Sequence, residues 1–447
     1  MVDAHAGQRN NRILPSRWRG QGLLNSARME NRAILISSVC IGLVCLGSFF
    51  GHNWETLGAV MAHRGDDLGY YQFLPGLFIE HDLRGLPWVH ILEDGSRLSV
   101  FTMGVALLQL PFFVIAHLAC HFGLASPDAY SWPYAVARAG AGAFYAAMGC
   151  LFLMRALKPR FGTSASVIAV ALLCGCTNLY YYASMEPGMS HVYSFFLFAA
   201  LYHTTLGILR SPSSKRLFLL LVIVTMILLV RAANVIVLLV PLLYAASRTK
   251  DVVARLNWPL RFPKAFIMGV MVCALMLLPQ LTYWHAITGK FLVFTYGAMG
   301  QGFFWSQPHL WDVLLHPWNG WFLYSPLMLV VMAALLVMAV RGIPGGRTVL
   351  LVWLLAWYVI AAWWCWWLGG AFGHRGFVEY LAFLAVPAAW MVQGILRSSR
   401  TLKYAALAVA LFLAYLNIGL SWNYASPWDG PEWTMASVWR EYGRLLP

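Results

Sequence analysis

The sequence predicts an all-α protein, a polytopic membrane helical bundle of about 11–12 hydrophobic segments. Two observations carry this. Of 447 residues, 60% are hydrophobic and only 11% charged, with a mean hydropathy of +0.65, whereas a soluble domain is about a quarter charged. Apolar runs of roughly 18 residues or more also recur along the chain, the length at which a helix crosses a hydrocarbon core. Lipid leaves backbone groups no water to bond, so such runs must satisfy themselves as helices. These features exclude nucleic-acid enzymes, secreted disulfide scaffolds and soluble Rossmann or barrel enzymes.

The segments follow in order. Residues 1–32 form a basic segment, with Arg9, Arg12, Arg17, Arg19, Arg28 and Arg32 against Asp3 and Glu30. A cleaved signal peptide has a shorter basic region and a small-residue cleavage site, so 33–50 reads as a retained first span and the N-terminus as cytoplasmic. Further runs lie at 99–122, 134–156, 163–182, 188–209, 217–246, 265–287, 322–340, 348–368, 379–396 and 404–420. The net charge of +14 sits in short clusters between them: Arg155/Lys158/Arg160, Arg210/Lys215/Arg216, Arg248 to Lys264, Arg341/Arg347 and Arg397/Arg400/Lys403. That is a positive-inside pattern. With these clusters cytoplasmic, 183–187, 288–321, 369–378 and the tail from 421 face outward. The chain thus divides into the basic segment 1–32, a transmembrane domain 33–420 and an outer tail 421–447, whose Trp422, Trp428, Trp433 and Trp439 suit an interfacial aromatic belt.

Two runs break the pattern. Residues 217–246 have basic clusters at both ends but are only 30 long, too short for two spans of ~20 residues. Two short helices meeting at Arg231-Ala232-Ala233-Asn234 resolve this. Run 99–122, which holds Gln109, Pro111, His117 and His121, must by parity stop short of crossing or cross in two pieces. The eight cysteines all fall in apolar segments without metal-ligand spacing, and read as packing residues.

Charge is costly in this setting, so the remaining charged residues mark candidate chemistry. In the first outer loop, Arg64 and Gly65 precede Asp66 and Asp67, and Tyr70 and Tyr71 follow. Adjacent carboxylates suit removal of a hydroxyl proton or a divalent cation; the structural alternative is a helix cap. Glu186 stands before Pro187, which can open a helix, and His191 follows within that helix. Capping, and a hydrogen-bonded core histidine, are the alternatives there. The loop 288–321, Gly-rich at Gly297, Gly300 and Gly302, has the length of a functional or mobile loop and suits a lid. A late Trp-rich segment leads into Gly373-His374-Arg375. Arginine suits an oxyanion such as phosphate, and the alternative is an i,i+4 pair with Glu379. Arg231, between two apolar stretches, requires an anionic partner or a water-filled cavity. A substrate phosphate or a structural carboxylate would serve.

Taken in order, Asp66, Asp67 and Tyr70, then Glu186, then Arg231 with Asn234, then Gly373, His374 and Arg375 resemble the integral membrane glycosyltransferases of the GT-C fold, which include protein O-mannosyltransferases and the aminoarabinose transferases of lipid A. The resemblance covers about residues 33–400. It implies a hexosyl- or pentosyl-transferase that uses a polyprenyl-phosphate-linked sugar donor in the membrane lipid. The acceptor would be a hydroxyl of a glycan, lipid or protein, on the periplasmic side of a bacterial-type inner membrane, with no nucleic acid as partner. It makes Asp66, Asp67 and Glu186 the catalytic carboxylates, with Asp66 or Asp67 as general base. Arg231 and Arg375 become phosphate clamps, and Arg64, Tyr70, Tyr71, His191, Asn234 and His374 substrate-binding residues. No cofactor is firmly implied; a divalent cation is the one candidate. The sequence departs from the pattern in having Glu186 and no Asp in the second loop, no large C-terminal soluble domain and no extended metal-ligand cluster. The rival readings are a transporter or flippase of a lipid-linked precursor and a non-catalytic scaffold. Transporters tend to repeat mid-membrane polar residues in two halves, whereas here the acids gather in outer loops.

Overall fold

The computed structural model describes residues 16–57, 65–424 and 427–446, with side chains from residue 28 onward; Arg64 lies outside the described residues. The chain is a helical bundle whose one sheet, among the described residues, is the two-residue antiparallel pair His90–Ile91 with Arg97–Leu98. Among the described residues six helices are long and apolar enough to cross a membrane: Arg28–Thr56 (within and just beyond helix Ser16–Asn53), Gly104–His121, Trp132–Phe161, Ser190–Arg210, Pro263–Thr288 and Arg400–Asn423. Shorter apolar helices at Thr163–Gly175, Leu327–Val340, Gly346–Ala361 and Leu381–Leu396 complete the bundle.

The centre is built from Trp132–Phe161, Ser190–Arg210 and Leu381–Leu396. Small residues such as Ala139, Gly142, Ala146 and Gly149 let neighbours approach the first of these closely. Leu381 to Ala389 is buried without interruption, as a helix apolar all round should be. The peripheral helices instead turn large apolar side chains outward, as at Leu43, Met271 and Leu411. Faces of that size are tolerated against lipid and would aggregate in water. Gly162 (φ 82°) and Gly289 (φ 71°) end their helices in positive-φ conformations that glycine adopts without a Cβ clash.

The basic clusters share one end of the bundle. Arg155, Arg210, Lys215 and Arg216 line a single hollow there, and Arg160 Nη1 donates to the Pro344 carbonyl at 2.8 Å, in the turn that joins Arg341 to Arg347. The acidic residues of the candidate site lie at the other end.

Residues 217–246 form the predicted broken pair. Helix Ser214–Val230 stops at Arg231, which is extended (φ −154°, ψ 108°), and the chain returns through the 3-10 helix Ala232–Leu238 and the short helix Leu239–Leu243. The return brings the Tyr244 hydroxyl to within 2.8 Å of the Tyr202 hydroxyl. Run 99–122 yields one unbroken helix, Gly104–His121, with Pro111 inside it. Its start abuts the Leu229–Val230 backbone. The Tyr145 hydroxyl donates to the Leu108 carbonyl, and Tyr134 bonds His117, so it lies along only the first half of Trp132–Phe161. The long loop is held rather than free over 302–310: Phe304 N donates to Ala362 O (2.6 Å), His309 N to Ala361 O (2.8 Å) and Trp364 N to Gly302 O (3.0 Å). The tail folds back, with Trp433 Nε1 donating to the Tyr324 hydroxyl and Tyr415 to the Leu445 carbonyl.

Candidate functional site

The adjacent aspartates open the short helix Gly65–Tyr71 and take opposite directions. Asp67 turns inward. Only 3% of it is exposed, and its Oδ1 lies 3.2 Å from Nη1 of the equally buried Arg138. It packs so tightly on Gly188 that a Cβ there would overlap the carboxylate, so glycine at this position is required by close approach. Arg138 also lies over the Tyr71 ring, 5.7 Å from its centroid, and the Tyr71 hydroxyl donates to the Ala129 carbonyl at 2.8 Å. Asp67, Arg138 and Tyr71 thus lock the short helix to the bundle.

Asp66 stays partly exposed. Its Oδ2 pairs with Arg375 Nη2 at 2.9 Å, with 39% of the Asp66 side chain and 15% of the Arg375 side chain exposed. Arg375 is therefore paired across more than 300 residues of sequence, and not with Glu379 four positions on. The segment 369–380 breaks from regular helix, with Arg375–Phe377 a single 3-10 turn, and this frees the two side chains to point to different partners.

Glu379 organises a second cluster. Its Oε1 lies 3.2 Å from Arg231 Nη1 and its Oε2 3.0 Å from His191 Nδ1. Both Glu379 and His191 are buried. A carboxylate can only accept, so Nδ1 carries the proton when it bonds Glu379. Arg231 thus has the structural carboxylate that its position demanded, yet 28% of its side chain stays exposed. Tyr70, packed edge-on to Phe101 at 4.6 Å, joins the two clusters: the charges of Arg231, Asp66 and Arg375 all bear on its hydroxyl. The result is two part-exposed guanidiniums and one part-exposed carboxylate around a buried phenol.

The other predicted residues are placed as follows. Glu186 accepts from the Tyr181 hydroxyl at 3.1 Å, and His191 Nδ1 lies against Glu379 and, at 3.2 Å, Arg231 Nη1. The buried Asn234 accepts from the Tyr380 hydroxyl at 3.5 Å. His374 is fully buried and its Nε2 lies 2.7 Å from the Trp366 carbonyl. Burial, helped by the adjacent Arg375, lowers the His374 imidazole to about 4 and keeps it neutral. Burial opposes the charge on Arg375, but Asp66, Tyr182 and Glu186 outweigh it and hold the guanidinium charged. The divalent-cation expectation does not fit this arrangement. Asp66 and Asp67 each face a different arginine, so they share no ligand position. Among the described residues no three His, Cys, Asp or Glu side chains gather as a metal set.

Two partners escaped the sequence reading. Arg138 sits one helix turn inside an apolar run, and the cost of burying that charge was the available signal. Glu379 stood next to the Arg375 motif, where its local i,i+4 geometry masked the long-range role. Tyr296, in the loop 288–321, is also electrostatically linked to Arg231 and Asp66.

No family model and no curated relative matches the sequence. The structure is similar to that of the archaeal oligosaccharyltransferase AglB from Archaeoglobus fulgidus, solved with an inhibitory peptide and a dolichol-phosphate, at a TM-score of 0.52 and 13% identity. The match covers 88% of this chain and 55% of that one, so this chain corresponds to about half the length of its neighbour. Likeness at this level establishes a GT-C-like fold, as the motif resemblance implied.

Proposed function

We propose that this protein is a membrane glycosyltransferase that moves a sugar from a polyprenyl-phosphate-linked donor to an acceptor hydroxyl at the outer, periplasmic face of an inner membrane. The observation that carries the reading is the convergence of Arg231, Arg375 and Asp66 around Tyr70, at the bundle end opposite the basic clusters. The GT-C-like fold, shared with a transferase solved with a lipid phosphate, supports it.

In the proposed reaction Asp66 is the general base. One of its oxygens is held by Arg375 and the other takes the proton of the acceptor hydroxyl. The acceptor oxygen forms a bond to the anomeric carbon as the bond from that carbon to the phosphate oxygen breaks, and the phosphate leaves with the electron pair. Arg231 and Arg375 stabilise the charge that develops on it. Charge is conserved locally: as protonation neutralises Asp66, the counter-charge of Arg375 passes to the leaving phosphate. Glu379 and His191 position Arg231, and Arg138 positions the Asp66–Asp67 turn through Asp67. The part-exposed Glu186 lines the site, and the buried Tyr71, Asn234 and His374 support it from behind.

The test is sugar transfer by purified protein from radiolabelled polyprenyl-phosphate sugars, hexosyl and pentosyl. Asp66→Asn should abolish transfer while leaving folded protein and donor binding intact. Wild-type turnover in that variant would remove the base assignment.

A further inference from the structure

The basic end of the bundle holds a hollow of about 430 Å³ between helices Trp132–Phe161, Ser190–Arg210 and Ser214–Val230. Arg155, Arg210, Lys215 and Arg216 line it, and among the described residues no acidic side chain does. Arg155, Arg210 and Lys215 are exposed. A positive-inside bias accounts for basic residues at this end but not for their arrangement around one hollow.

Three details show a built site. Arg216 is laid into the hollow: its Nη1 donates to the Ser211 carbonyl, and its side chain crosses Gly207 so closely that a Cβ there would stand 3.1 Å from Nε. His203 turns its ring toward the same space, stacked on Phe152 at 5.5 Å, and its buried Nδ1 has no hydrogen-bond partner. The charges of Arg155, Arg210 and Arg216 all bear on that ring. The 17-residue helix Ser214–Val230 begins at the hollow, capped by Ser213, and adds the positive end of its dipole.

Among the described residues these cations are crowded without counter-charge and repel one another, and an oxyanion relieves that cost. We infer that this hollow binds a phosphate group, delivered as the headgroup of an anionic lipid or as free phosphate. The site is separate from the proposed transferase centre and does not rest on it. Basic pockets between membrane helices suit anionic headgroups, and the apolar Leu219 and Leu206 on the same wall would receive the first carbons of a lipid chain.

The experiment uses the full chain in neutral detergent. One arm counts phosphatidylglycerol and phosphatidylcholine adducts by native mass spectrometry, and the other titrates inorganic phosphate by calorimetry. Two variants are compared with wild type: Arg155→Gln/Arg210→Gln/Lys215→Gln, in exposed positions, and Gly207→Leu, which narrows the hollow, displaces Arg216 from its seat in it and keeps every charge. The expected result is saturable phosphatidylglycerol binding that exceeds phosphatidylcholine at least ten-fold and falls at least ten-fold in both variants. Saturable inorganic phosphate binding with the same sensitivity would assign the site to free phosphate and equally support it. Absence of saturable binding in both arms would overturn the inference. So would wild-type binding in Gly207→Leu, because attraction to a diffuse basic surface does not need the hollow.

Discussion

Glu379 is the test of whether the second cluster is a buried ion pair that fixes Arg231. It is 1% exposed and bonded to Arg231 and His191 at 3.2 and 3.0 Å. Removing one partner of a buried pair costs about 3–5 kcal/mol, because the other is left as an uncompensated charge. Water reaches part of Arg231, whose side chain is 28% exposed, so Glu379→Ala should sit near the lower limit, about 3 kcal/mol. Glu379→Gln keeps the shape and an acceptor and should cost about 2 kcal/mol. The assay is reversible denaturant unfolding in micelles, as a double-mutant cycle of Glu379→Gln with Arg231→Gln. The double variant should recover about 2 kcal/mol relative to the sum of the singles, within the range seen for contacting residues. A coupling energy below about 0.5 kcal/mol, the usual additivity error, would refute the pair as an organising element.

The two aspartates should separate. Asp67→Asn breaks a pair with Arg138 in which both side chains are 4% exposed and should destabilise by about 3 kcal/mol or more, whereas Asp66→Asn at the open pair should cost about 1 kcal/mol or less by the same unfolding assay. Gly188→Ala places a methyl on the Asp67 carboxylate and should cost about 2 kcal/mol by overpacking. That penalty should shrink in an Asp67→Ala background, and an unchanged penalty would place the clash elsewhere. His374 gives a pH signature: with a folded value of about 4 against an unfolded value of about 6.5, the unfolded chain binds more protons between the two. Its contribution is complete above about pH 6.5 and is lost as pH falls toward about 4, by about 3 kcal/mol at most. Unfolding measured from pH 7 to 4 should show a shallower acid decline in His374→Gln than in wild type.

How far the sequence reached depends on the range of the interaction. Apolar runs are local signals and gave the bundle. The break at Arg231 was legible because length and flanking charge conflicted over residues 217–246, and the structure resolves the conflict with a helix end and a 3-10 return. The partnerships were not legible. Arg375 lies four residues from Glu379, and helical spacing would pair them, yet the irregular backbone around Arg375–Phe377 sends one to Asp66 and the other to Arg231. No periodicity reports contacts such as Asp67 to Arg138 or Asp66 to Arg375, because each depends on how separate helices pack. The doublet Asp66-Asp67 read as one motif, and the fold divides it into a buried lock and an open carboxylate. Arg138 was hidden by its neighbours, since Ala, Gly and Tyr on either side make the stretch read as a span.

The most direct measurement of the central claim is single-turnover sugar release from a radiolabelled polyprenyl-phosphate donor by wild type, Asp66→Asn and Arg375→Gln, each with its fold verified by unfolding. The proposed mechanism gives transfer by wild type, loss of at least a hundred-fold in Asp66→Asn with donor binding retained, and weakened donor binding in Arg375→Gln. Transfer at the wild-type rate in both variants would contradict it.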